Sequence, residues 1–322
     1  MDTSADWSSP DPAADRFADL TGGVRICYRV QGPADGPALL LLAGLGLDLT
    51  SWPERLVHGF TERGFLVIRP DNRDAGRSSR IGTPPPGRLR QLLARPRQDA
   101  YDLADMAADT VGLLDHLGIE RAHLVGMSMG GMIAQTLAAR HPDRAATLTS
   151  IFSTTGNRRV GQPALSTLAR LARPAARTME QSVKRHLALL RHIGSTTYPP
   201  DQSLERTWAS TVWQRGEGLP AGASVARQIA AIQASGDRTP ELSRITAPTL
   251  VIHGDTDRMV HPSGGRATSR AIPGARHLEI RGLAHHLAPG VLDRLVELTG
   301  DLVQRHGASL QPSPEQERRS RG

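Results

Sequence analysis

RAHLVGMSMGGMIAQTLAARHPDR, residues 121–144, decides how this chain is read. A short apolar run at 123–125 delivers Ser128 into a Gly-x-Ser-x-Gly turn, and an amphipathic helix follows at once. That order reads as a nucleophile elbow. A serine hydroxyl is a poor nucleophile at neutral pH, so a hydrolase must lift it out of the backbone, set a base beside it and aim amide hydrogens at the developing oxyanion. A sharp strand-to-helix turn performs the first and third tasks together. Gly126 and Gly130 have no Cβ, so strand and helix can close up around Ser128. Five residues are a weak signal alone, and the flanking sequence must supply the context.

Upstream, residues 24–30 (VRICYRV) alternate like a strand, and 37–43 (PALLLLA) form a continuous apolar run of the kind buried on both faces. Ser51 and Glu54 have capping-box spacing ahead of Leu56, Val57 and Phe60, which predicts a helix ending at Gly64, and FLVIR at 65–69 reads as the next strand. Residues 81–100 lack a clean period and contain three consecutive prolines, which predicts a loop with at most one helical turn. A helix follows from Leu103, closed by Gly118. Past the elbow, residues 146–152 read as a strand, and then the alternation stops. Residues 155–240 show helical patterns only, three or four in a row, and read as an inserted lid. Strand signals resume at 249–253 (TLVIH) and 278–280, with a terminal helix over 289–303.

This rhythm predicts the α/β class: a mostly parallel, doubly wound sheet with its core at 17–154 and 241–306 and a helical lid at 155–240. Segments 1–16 and 307–322 are polar and read as disordered. In such sheets chemistry gathers at the carboxyl ends of the strands. The loops holding the candidate residues fall on that edge.

Composition narrows the function. The 322 residues carry a formal charge of +7, but Lys184 is the lone lysine, so the excess is arginine, scattered over helix faces. No aromatic-interleaved basic stripe or nucleic-acid motif is present, which argues against a nucleic-acid partner. Cys27 is the single cysteine, which excludes an internal disulfide and a zinc site built from a cluster of cysteines and suits a core position in an early strand. The N-terminus lacks a signal-peptide pattern, and no run approaches the roughly 18 apolar residues of a membrane span. The expectation is a cytoplasmic enzyme with a small-molecule ester substrate and no cofactor. Oligomeric state leaves no trace in the sequence.

Ser128 needs a base near neutrality, and histidine is the side chain whose ordinary pKa lies closest. His285 sits in RGLAHHLAPG, between the last predicted strand and the last helix; His286 is its rival, and because consecutive loop residues point apart only one can meet the serine. His285 is preferred. An orienting carboxylate must fix the base. VIHGDTDRMVHP offers Asp255 and Asp257 just after a strand, and Asp257 has the room to turn inward, while Asp255 suits bonding to backbone amides in the turn. The oxyanion donors are expected from the backbone N–H of Met129, at the start of the elbow helix, and of Leu45 in AGLGLD. The charged loop DNRDAGRS, 71–78, is read as structural, with Arg73 and Asp74 tying it to nearby backbone.

These residues resemble the α/β-hydrolase superfamily over about residues 20–305. IRPDNRDAGRSS, YDLADMAADTVGLLDHLGIERAHLVGMSMGGMIAQ, STTGN and GLAHHLAPGV are similar to the branch of small bacterial carboxylesterases and aclacinomycin methylesterase-like hydrolases. The resemblance implies Ser128 as nucleophile, Asp257 as acid, His285 as base, and the Leu45 and Met129 amides as oxyanion hole, hence a serine esterase working through an acyl-enzyme. Two departures stand out: Ala43-Gly44 where many relatives carry His-Gly, and Ala284 where many carry glycine before the histidine. Acyl transfer, C–C bond hydrolysis and cofactor-free perhydrolysis use the same elbow, and a noncatalytic ligand-binding protein is a further alternative. Dehalogenase and epoxide hydrolase chemistry is disfavoured, because those enzymes use aspartate at the position of Ser128.

Overall fold

Four consecutive leucines can be buried only if both faces of their strand are covered, and side chains of successive strand residues point to opposite faces. In the computed structural model, which describes residues 15–173, 175–216 and 222–307, this is what β3 (Ala38–Leu42) does. Leu40 and Leu42 join a cluster with Leu103, Met106, Ile133 and Leu137, whereas Leu39 and Leu41 join one with Leu56, Phe60, Leu295 and Val296. All four leucines are fully buried, each worth roughly 1.5–3 kcal/mol of transfer free energy.

The sheet has eight strands: β1 (Arg16–Asp19), β2 (Arg25–Gln31), β3, β4 (Leu66–Pro70), β5 (Ala122–Met127), β6 (Ala145–Ile151), β7 (Thr249–Gly254) and β8 (Arg276–Ile280). Their spatial order is β1-β2-β4-β3-β5-β6-β7-β8. The β1/β2 and β2/β4 pairs are antiparallel and all others parallel. Helices α1 (Glu54–Thr61) and α11 (Leu292–Gly307) supply one covering layer, and α3 (Leu103–His116) and α4 (Met129–Arg140) the other, with α2 (Arg88–Leu92) in the proline-rich loop. The α3 start is a reciprocal cap: the Asp102 carboxylate accepts from Ala104 N and Asp105 N, and Asp105 accepts from Asp102 N.

Between β6 and β7 the described chain is helical, with α5 (Leu165–Leu171), α6 (Met179–Ile193), α7 (Gln202–Arg215), α8 (Gly222–Ser235) and the single turn α9 (Thr239–Leu242). Helix α10 (Ser263–Ala271) joins β7 to β8. The α9 turn straddles the expected 240/241 boundary and packs on α4 and α10. Among the described residues no helix is long and apolar enough to cross a membrane, and no group of three or more His, Cys, Asp or Glu side chains could hold a metal ion.

Three sequence expectations need correction. The Ser51/Glu54 capping box does not form: α1 starts after Pro53 without a side-chain cap, and Ser51 ends a short 3-10 turn over Leu49–Ser51 that Asp48 caps instead. At the N-terminal margin, Arg16 pairs with Tyr28 in the β1/β2 ladder and Asp15 binds Arg29, so the ordered chain begins before residue 17; residues 1–14 lie outside the described residues. At the other end Gly307 closes α11, and 308–322 lie outside the described residues.

Candidate active site

Strand β5 hands Ser128 to α4 through a backbone conformation of φ 55°, ψ −120°. A positive φ at a non-glycine residue costs roughly 1–3 kcal/mol and persists only where neighbours over-determine it. Here Ser128 N donates to Ile151 O at 2.8 Å, and Ser128 O accepts from Ser153 Oγ at 2.9 Å and Met132 N at 3.2 Å. The glycines on either side are required by close approach. A Cβ on Gly130 would overlap the carbonyls ending β3, and one on Gly126 would overlap the Gly130 carbonyl.

The structure brings His285, five residues beyond β8, to this serine. Its Nε2 lies 3.1 Å from Ser128 Oγ and its Nδ1 2.7 Å from Asp257 Oδ2. An ionised carboxylate only accepts, so Nδ1 carries the hydrogen and Nε2 is left to accept from the serine hydroxyl. Asp257, three residues beyond β7, is held by Met259 N and Val260 N on Oδ1 at 2.8 and 2.9 Å. Burial alone would raise its carboxyl. The His285 partner and hydrogen bonds from His253 and His285 outweigh that and hold it well below the usual carboxylate range. The Phe152 ring, on a second positive-φ residue (53°), leans on His285 with centroids 5.4 Å apart.

The two expected oxyanion donors flank the serine. Met129 N opens α4, where no earlier helical carbonyl is in place to pair with it. Leu45 lies in the turn closed by Leu47 N to Gly44 O at 3.2 Å, and a Cβ on Gly44 would sit 3.3 Å from Ser128 Cβ, so this loop lies against Ser128. Among the described residues neither the Leu45 nor the Met129 amide donates to a protein acceptor.

The rivals are placed elsewhere. His286 turns away from Ser128, its Nε2 2.7 Å from Glu205 Oε1 on α7, and Asp255 Oδ1 accepts from Gly282 N at 2.6 Å. In the 71–78 loop Arg73 and Asp74 do reach backbone, at Asp105 O (3.3 Å) and Ile81 N (3.2 Å), and they also bind distant side chains: Arg73 forks onto Asp109, and Asp74 binds Arg227 of α8 and the Tyr101 hydroxyl.

Four neighbours escaped the sequence reading. His253 is fully buried; its Nε2 donates to Val260 O at 2.8 Å and lies 3.3 Å from Asp257 Oδ2, an i to i+4 spacing in HGDTD that could have flagged it. Glu205 bridges His186 and His286 at 2.6 and 2.7 Å. Burial opposes its charge, but the hydrogen bonds from the two histidines bring it down to about 2. Arg215, at the end of α7, and Gln228, in α8, carry no sequence signal that separates them from ordinary helix-face residues. Trp208 packs with Val183, Leu187, Ala209, Val212 and Leu47, and its indole N–H donates to Thr50 O.

With this geometry in place, comparison with known proteins is informative. The sequence signature of the alpha/beta hydrolase fold matches residues 37–288. Rhodomycin D methylesterase DnrP of Streptomyces peucetius is 32% identical over 281 residues, 82% of this chain and 89% of that protein. Rhodomycin D methylesterase DauP of Streptomyces sp. (strain C5) is 31% identical over 83% of this chain and 90% of its own length. Among solved structures, the enol-lactonase of Burkholderia xenovorans LB400 superposes with a TM-score of 0.67 at 25% identity, covering 90% of this chain and all of the other.

Proposed function

The chain belongs to the alpha/beta hydrolase fold family, and we propose that within it the protein is a serine esterase that cleaves carboxylic esters through an acyl-enzyme. The observation that carries this reading is the single imidazole bonded on one side to a buried carboxylate and on the other to a serine on a strained elbow. His285 Nε2 takes the Ser128 proton as Oγ attacks the ester carbonyl. Negative charge builds on the carbonyl oxygen, where the Leu45 and Met129 N–H groups receive it. The C–O bond to the alcohol then breaks, and the alkoxide leaves with the proton from His285. Water repeats the sequence on the acyl-serine, giving up its proton to His285 and releasing the acid and the serine hydroxyl. Asp257 holds the ring in the tautomer this requires and stabilises the imidazolium between steps.

The α5–α9 block is the lid in this reading. It reaches both flanks of the site, through Glu205 to the histidine loop and through Arg215 and Arg227 to the loop after β4. The two methylesterase relatives point to methyl esters of bulky ring acids as the first substrates to try.

Ser128→Ala should lower turnover on the order of a million-fold, as expected when a triad acts as a unit. A fluorophosphonate should label the native protein and not the variant. An S128A protein with full esterase activity would end the proposal.

A further inference from the structure

The amide of Leu45 can stabilise an oxyanion only if its peptide plane is fixed, and Leu45 lies in a half-buried turn between two glycines. The peptides on both sides of it are clamped by buried side-chain amides. On one side Asn72 Nδ2 donates to Ala43 O at 3.0 Å. On the other, Gly46, at φ +68°, donates its N–H at 2.8 Å to Gln228 Oε1, and Gln228 Nε2 donates at 2.9 Å to Arg73 O. Gln228 has no exposed surface and sits on α8, 182 residues from Gly46. Both ends of its amide are thus used on backbone of two loops at the carboxyl edge of the sheet. A Cβ on Gly46 would come to 2.9 Å from Val225 Cγ2, so α8 also lies against this turn sterically. Leu47, which closes the turn, packs into the cluster of Trp208 and Leu187.

Without the Gln228 acceptor, the Gly46 N–H would have to find a new partner. Freed of that bond, the 44–47 turn is left with the Leu47 N to Gly44 O closure and the Asn72 bond to Ala43 O, and the loop segment that carries the Leu45 N–H can shift as a unit off the line to Ser128. We propose that Gln228 is a positioning residue for the oxyanion hole: an α8 side chain that holds the Leu45 donor in line by binding the next peptide. Seating of α8 and assembly of the oxyanion hole are then one event, because the same amide fastens the helix to both loops.

This inference rests on the serine esterase reading, and the test separates the two. Gln228→Met keeps length and burial but has neither donor nor acceptor; Gln228→Glu keeps an oxygen for the Gly46 N–H. Steady-state kinetics on one ester are measured alongside thermal midpoints and affinity for an alkyl trifluoromethyl ketone, which forms a tetrahedral adduct on a serine. A misplaced donor of this kind should lower kcat about 10- to 100-fold. In Q228M the KM should stay within a few-fold of native, the ketone should weaken by the same factor as kcat/KM, and Q228E should recover part of the kcat. If Q228M does not fold, a folded Q228E decides the matter alone: it should keep kcat and ketone affinity within about tenfold of native, and a greater loss of both overturns the proposal. A folded Q228M with native kcat overturns it, as does a fall in kcat with unchanged ketone affinity, or a change in KM alone. If native protein reacts with fluorophosphonate at Ser128 and Q228M is fully active, only this inference falls. If native Ser128 is inert, the esterase reading falls with it.

Discussion

Arg215 gives the most demanding test of how the helical block is attached. Its guanidinium is buried, with Nη1 3.0 Å from Asp48 Oδ2 and 2.7 Å from Asp71 Oδ2, and Nη2 3.0 Å from Asp15 Oδ2 and 3.3 Å from Cys27 Sγ. Burial opposes this charge, but Asp71, Asp48 and Asp15 more than reverse that and raise its pKa. Replacing Arg215 by Met removes the cation and leaves the acids. Asp15 keeps Arg29 and Arg77. Among the described residues Asp71 and Asp48 then keep neutral donors: Leu49 N and Arg77 N for the first, Thr50 N and Oγ1 for the second. Breaking a buried ion pair from one side costs about 3–5 kcal/mol, and at about 2–4 °C per kcal/mol for a domain of this class the midpoint should fall by roughly 10 °C. The deficit should depend on pH with a definite sign. Burial already lifts Asp71 above the ordinary aspartate range, and Arg215 is the largest influence pulling it down. Without Arg215 the folded-state pKa rises further, so the charged form costs stability at high pH and the cost fades as pH falls toward the unfolded-state value. Thermal denaturation of native and R215M protein at pH 8 and pH 5 should show the larger gap at pH 8, and R215M/D71N should regain part of it. A gap below about 1 kcal/mol, or one of equal size at both pH values, would refute the reasoning.

Asp257→Asn should leave the fold intact and lower kcat by about 10⁴-fold. The amide oxygen would take over the Met259 and Val260 N–H groups, turning the NH2 toward His285 Nδ1 and forcing the tautomer whose Nε2–H cannot accept from Ser128; retention of activity within tenfold of native would count against the assigned role. Glu205→Gln tests the link to the histidine loop through stability. The native carboxyl is held near 2 against an ordinary 4.5, so its contribution is complete above pH 4.5 and lost as pH falls toward 2, on the order of 3 kcal/mol at most. Urea denaturation at pH 6 and pH 3 should show the native-minus-E205Q difference shrinking at the lower pH, and a difference that does not move with pH would reject the assignment.

The elements legible from sequence were those where one physical demand restricts the choice of residue. Residues 37–43 read as a doubly covered strand because a wholly apolar run this short, bounded by Gly36-Pro37 and Gly44, fits a strand buried on both faces, and the elbow glycine has its reason in the overlap with the β3 carbonyls that leaves no room for a Cβ at Gly130. The Ser51/Glu54 expectation failed because local spacing says nothing about competitors: Asp48 and Asp71, the latter far along the chain, claim the amides of the turn before α1. The same limit applied to the 71–78 loop. Arg73 and Asp74 were recognised as anchors, but their partners Asp109 and Arg227 lie 36 and 153 residues away, and only the fold brings them in.

The candidate site divides along the same line. Ser128, Asp257 and His285, the proposed nucleophile, acid and base, could be named from sequence because those roles admit few residue types and the carboxyl ends of strands few positions, with the family resemblance adding weight to Asp257. His285 was preferred over His286 by position and by the family resemblance; what separates them in the structure is that each imidazole has its own carboxylate, Asp257 for one and Glu205 for the other. Any acceptor of suitable length can hold a peptide N–H, so nothing about a glutamine in the ARQIAAIQ stretch of α8 distinguishes Gln228 from a solvated neighbour. Yet α7 fastens the histidine loop and α8 the loop after β3, and under the proposed mechanism a displacement of the helical block would loosen base and oxyanion donor together. Substitutions in α7 and α8 that touch no substrate should therefore lower kcat more than they raise KM, whereas changes to helix faces that carry none of these bonds should leave both untouched.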